Sequence, residues 1–196
     1  MKKTGLFLAL LALSALSCRS TAGQTGAQVL KRVESRLMSA KRIDVAFEAL
    51  ATGAVQSKAA GELKIDGSDV AIDGSGAVKG VTTAVRFTTN DANRPADIRH
   101  AVVIGWTRMG LLHNLVRLLG DQDIEHDSGG IEEWVAISDI SWNAQERKLI
   151  FDIDVEGQQI GVAHLWLTRD GLPLRRTQTV HFPGGEMLVE EHYRWH

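Results

Sequence analysis

Five carboxylates between residues 121 and 132 stand at the spacing of a calcium loop: Asp121, Asp123, Glu125, Asp127 and Glu132 take its first, third, fifth, seventh and twelfth places. A hard cation wanting six to eight oxygens would suit them. The sixth place, however, holds His126 and not the glycine that the sharp turn needs, so the segment reads as a solvated acidic loop. The seven histidines include no pair at ligand spacing within a helix. His164, His181 and His192 could meet across neighbouring strands in a zinc-like group, but scattered sheet histidines are the simpler reading. Asp152 and Asp154 share a strand face, which alternation makes the solvated one. No Gly-x-Ser-x-Gly elbow is present, and the glycines lie in turns without a strand-to-helix phosphate loop. These residues call for no catalytic group, metal or cofactor, and an enzyme is not expected.

Cys18 is the only cysteine, so it has no internal disulfide partner. Lys2 and Lys3 precede an apolar run from Leu6 to Leu13, and small residues follow at Ser14, Ala15 and Ser17. That is the build of an export signal, too short for a spanning helix of about 20 apolar residues. Ala15-Leu16-Ser17-Cys18 resembles a bacterial lipobox, in which the cysteine is diacylated and becomes the mature N-terminus. Ala15 stands where lipoboxes usually carry leucine, and Ala15-Leu16-Ser17 also reads as an ordinary peptidase site. Two acyl chains anchor durably where one holds only marginally. Arg19 instead of aspartate hints at outer-membrane delivery, so the expected place is the periplasmic side of a membrane, the outer one by preference. Residues 1–17 are then a signal peptide and 18–26 a small, polar tether. Residues 27–196 form one domain, because the mature chain of 196 − 17 = 179 residues suits a single core. A net charge of −2 and a pI near 6.4, with no basic cluster, argue against nucleic acid. A monomer is expected.

The elements that must position any site come next. Val29, Val33 and Leu37 recur at spacing four and predict an amphipathic helix over 27–40, with Thr25 as N-cap. Ile43, Val45 and Phe47 then alternate with polar residues, as a half-buried strand does. Short strands follow around 63–65, 70–72 and 81–87, separated by Asp66-Gly67 and Asp73-Gly74-Ser75-Gly76. Residues 90–100 form a polar excursion and Ala101–Ile104 a brief strand. Trp106 to Leu119 predicts a second helix with two apolar stripes, which must be covered on more than one side. Runs over 149–155, 160–168 and 172–182 and a last strand through Met187, Val189, Tyr193 and Trp195 make an antiparallel meander, with Asp170-Gly171 as its clearest turn. Eight to ten strands and two or three helices give an α+β fold. Its antiparallel sheet is curved into an incomplete barrel, with the helices over the concave face.

A lipobox, a short amphipathic helix, the strand at Ile43–Leu50, an apolar mid-chain helix and the closing meander through Leu165-Trp166-Leu167-Thr168-Arg169-Asp170-Gly171-Leu172-Pro173-Leu174-Arg175 resemble the outer-membrane lipoprotein carrier superfamily. LolA, LolB, LppX and the sensor domain of RseB belong to that group. The resemblance implies a half-barrel that shelters an acyl chain of a lipoprotein, or another lipid, in transport or localisation. The lining residues would be Trp106, Met109, Leu112, Val116 and Leu119 on the helix, with Phe151, Ile153, Trp166, Val180 and Tyr193 on strands. The alternatives are an envelope sensor or interaction protein of the same fold, and an anchored structural domain with no ligand. In the last case these residues are simply core.

Overall fold

Thr25 starts the first helix with a reciprocal cap: its hydroxyl accepts from the Gln28 amide at 3.3 Å, and its own amide donates to Gln28 Oε1 at 3.1 Å. Two otherwise orphaned donors are thereby satisfied. The helix α1 runs Gly26–Ser39 and buries Val29, Leu30, Val33 and Leu37. The computed structural model describes residues 24–78, 81–88, 98–114, 135–155 and 157–196.

After α1 come β1 (Arg42–Gly53), β2 (Ser57–Asp66), β3 (Asp69–Val78), β4 (Val81–Thr88), α2 (Ile98–Met109), β5 (Val135–Asn143), β6 (Lys148–Val155), β7 (Gln158–Leu167), β8 (Pro173–Phe182) and β9 (Gly185–Trp195). All nine strands join one antiparallel sheet in the order β4-β3-β2-β1-β9-β8-β7-β6-β5. The chain closes on itself where β9 pairs with β1, Phe47 opposite Tyr193. Among the described residues β4 and β5 are the two edges of the sheet, so the barrel it forms is incomplete.

Its curvature follows from what α2 touches. The helix packs on β3 near one edge and on β5 at the other. Those strands are seven spacings apart in the sheet order, roughly 34 Å if the sheet were flat. A helix is only about 10–12 Å across, so the sheet must wrap around it. The concave face carries the core, from Ile43, Val45, Leu63 and Ile65 on one flank to Phe151, Ile153 and Leu165 on the other. Among the described residues no helix is long and apolar enough to cross a membrane.

Three expectations need correction. Ala101–Ile104 are not a strand but lie inside α2; the β-branched run suggests extended backbone, yet burial of every residue from Ala101 to Thr107 outweighs that weak propensity. The second helix does not run unbroken from Trp106: α2 ends at Met109, Gly110 takes φ +89°, and helix resumes over residues 111–114. Strand β5 has no counterpart in the sequence reading. A bulge between Ser138 and Ser141, with Asp139 at φ 44°, shifts its apolar residues from Val135 and Ile137 to Ile140 and Trp142. That shift destroys the period of two on which strand recognition depends. The expected strand around 43–50 and the four C-terminal runs are found as β1 and β6–β9. The acidic segment 121–132 lies outside the described residues.

Candidate functional site

The break at Gly110 is held from below by two charged side chains. Arg176 on β8 and Glu191 on β9 are register partners, both buried on the concave face. Arg176 Nη1 and Nη2 donate to the carbonyls of Thr107 and Arg108 at 2.9 and 2.5 Å. Glu191 accepts from the amides of Leu111 and Leu112 at 2.9 and 2.8 Å. A cation thus meets the carbonyl end of α2 while an anion meets the amide end of the next helical turn, the arrangement both local helix dipoles favour. No side chain fits between them. A Cβ on Gly110 would sit 2.8 Å from Glu191 Oε1 and 3.1 Å from Arg176 Nε, and the positive φ adds strain for any L-residue.

Further polar groups complete this clamp. Gln178 Oε1 accepts from Arg176 Nε at 2.9 Å and Nη2 at 2.7 Å, and the Tyr193 hydroxyl donates to Glu191. Burial drives the Tyr193 phenol well above its usual range, and the adjacent Glu191 carboxylate pushes it the same way. Burial lowers Arg176, with Glu191 opposing. Burial likewise lowers His113 on the resumed helix, Glu191 raising it and Arg176 lowering it. Asn114, fully buried, donates to Val102 O at 3.0 Å and closes against Gly105, folding the short segment back onto α2. Arg108 joins Glu34 of α1 at 2.9 Å and Val135 O at 3.2 Å.

Of the residues expected to line a cavity, the structure brings Trp106, Met109, Leu112, Phe151, Ile153, Val180 and Tyr193 into one buried cluster. The Trp106 ring meets Tyr193 edge-on at 5.3 Å and stacks on Trp195 at 5.6 Å. Trp166 lies elsewhere. Strand parity turns it to the outer face, among Lys148, Arg175 and His164. Val116, Leu119 and Cys18 fall outside the described residues. His164, His181 and His192 do not converge, pairing in register with Thr177, Glu186 and Arg175, and the described residues contain no metal-binding group.

Among the described residues, clefts open on the outer face, where Leu50 and Leu188 stand more than half exposed, and beside α1. Arg176, Gln178 and Glu191 are the residues sequence reasoning missed, though a signal was there. Glu191 interrupts the apolar parity Met187, Val189, Tyr193, and Arg176 and Gln178 share parity with Val180. A charge on a core-facing parity demands a buried partner.

No family model and no curated protein matches the sequence. Eighteen chains of solved structures match it, the following two among them. One is the complex of Pseudomonas aeruginosa MucA and MucB, 18% identical, covering 86% of this chain and 55% of that one, with a TM-score of 0.29. The chain therefore spans little more than half the length of that protein. The other is a LolA superfamily protein from Nitrosomonas europaea, 8% identical over 88% of this chain and 92% of that one, with a TM-score of 0.26. The likeness is one of fold alone.

Proposed function

We propose that this chain is a bacterial envelope lipoprotein, tethered through Cys18, whose half-barrel takes an acyl chain or lipid onto its concave face when α2 lifts. One observation carries the reading: the helix lying across that face is fastened at its break by a directional polar clamp, while the surface beneath it is otherwise apolar. Buried charges add little net stability compared with apolar packing of the same volume, but they fix one arrangement and release it as a unit. Burial of a dozen methylenes supplies about 10 kcal/mol of gross transfer free energy at about 0.8 kcal/mol each, enough to offset displacement of a short helix. In this reading the arrangement with α2 packed and bonded across the concave face is the closed one.

The burial of Trp106, Met109, Leu112, Phe151, Ile153, Val180 and Tyr193 in one cluster favours a second reading, an anchored domain that binds nothing. The two are separated by titrating a fluorescent long-chain fatty acid into the wild-type protein and into Arg176→Met/Glu191→Leu, a swap that removes both charges together. Carriage predicts saturable binding by the wild type and several-fold faster uptake by the double variant. Absence of binding by both, with each folded by circular dichroism, leaves only the structural domain.

A further inference from the structure

The cleft beside the start of α1 is separate from the clamp. Its volume is 160 Å³, and four arginines line it: Arg32 and Arg36 from α1, Arg147 from the β5–β6 turn and Arg169 from the β7–β8 turn, with Trp142 beside them. Only one carboxylate, that of Asp170, shares the lining. Among the described residues none of the four arginines makes an ion pair. Arg32 donates to Gln24 Oε1 at 3.2 Å and Arg36 to the Asp170 backbone carbonyl, which orients both guanidiniums without neutralising them. Three separate elements therefore converge on one small concavity with an excess of positive charge, against a whole-chain charge of −2.

We propose that this cleft binds the phosphate of an anionic membrane phospholipid. Guanidinium forks match phosphate oxygens bidentately, and 160 Å³ falls below the roughly 300 Å³ where drug-sized ligand pockets begin, a fit for a headgroup phosphate. Position selects the bilayer as its source. Gln24 lines the cleft and stands 24 − 18 = 6 residues after Cys18, a reach of at most roughly 20 Å. A lipid on Cys18 would hold this end of the domain against the headgroups, where an indole such as Trp142 is also favoured. The inference rests on the anchored reading above.

The test uses the chain from residue 18 onward with Cys18→Ser. It keeps every core residue among the described ones, the first of which is Val29, and it carries no lipid. Flotation with phosphatidylglycerol vesicles is compared with phosphatidylcholine vesicles, for this protein and for Arg32→Gln/Arg36→Gln/Arg147→Gln/Arg169→Gln. Preference for the anionic vesicles, reduced at least about tenfold by the four substitutions, is the expected result. Equal partitioning by both proteins, or no preference between vesicles, overturns the proposal. Binding of inorganic phosphate with no vesicle preference also overturns it and assigns the cleft to free anions. Labelled palmitate incorporation at Cys18 in cells reads the anchor independently, so loss of one does not mimic loss of the other.

Discussion

The concave face has two halves built on different physics. Beneath β1–β3 the buried side chains are apolar and mostly aliphatic: Ile43, Val45, Leu63, Ile65, Val70 and Ile72 are each at most 2% exposed. Beneath β8 and β9 the same face carries Arg176, Gln178, Glu191 and Tyr193, just as deeply buried. The first half contributes area, which is non-directional and tolerates exchange. The second also places α2 and its break at one position, because Arg176 and Glu191 bond directly to the backbone on either side of the break. One half holds the sheet together, and the other decides where the helix lies.

Three changes would break or sharpen that contrast. The largest effect is expected from Glu191→Ala, which strands the buried Arg176 and leaves the Leu111 and Leu112 amides without acceptors. Chemical denaturation should show a loss of about 3–5 kcal/mol, and a loss below 1 kcal/mol would mean that the clamp is not formed. Leu63→Ala in the aliphatic half should cost about 2–4 kcal/mol with no preferential exposure of the 107–112 amides to hydrogen exchange. Selective exposure there would show the halves to be one unit. The smallest effect concerns acid. With the His113 pKa lowered by burial, the unfolded chain binds its proton first. Stability is therefore full above the unfolded value of about 6.5 and declines as pH falls below it, by at most about 1.4 kcal/mol per pH unit. His113→Gln should flatten that slope, and an unchanged slope would move the titration to another group.

Much of this architecture was legible in residue patterns, for identifiable reasons. Strands β6–β9 alternate cleanly and are joined by turns such as Asp170-Gly171, so type and order follow from period and turn chemistry. Thr25 as N-cap and the Val29, Val33 and Leu37 stripe announce α1. What failed was local signal overridden by context: the Ala101–Ile104 run, extended by propensity, is helical because the barrel encloses it, and the Asp139 bulge hides β5. Trp166 was misplaced because a strand with Ile160, Val162 and Trp166 on one parity and Ala163, Leu165 and Leu167 on the other does not declare its inner side. The clamp was overlooked because Arg176 and Glu191 are 15 residues apart in sequence, 191 − 176, and become neighbours only through hairpin register.

The central claim is that α2 and residues 111–114 open as a unit from an otherwise intact half-barrel. Native-state hydrogen exchange measures this directly, by comparing the Leu111 and Leu112 amides with the paired amides of β1 and β9. The account predicts that the helix amides exchange through an opening well below the global unfolding free energy, and that a bound fatty acid changes their rates while the strand amides stay protected. Exchange of helix and strand amides at one common, global free energy, unaffected by the fatty acid, would contradict it.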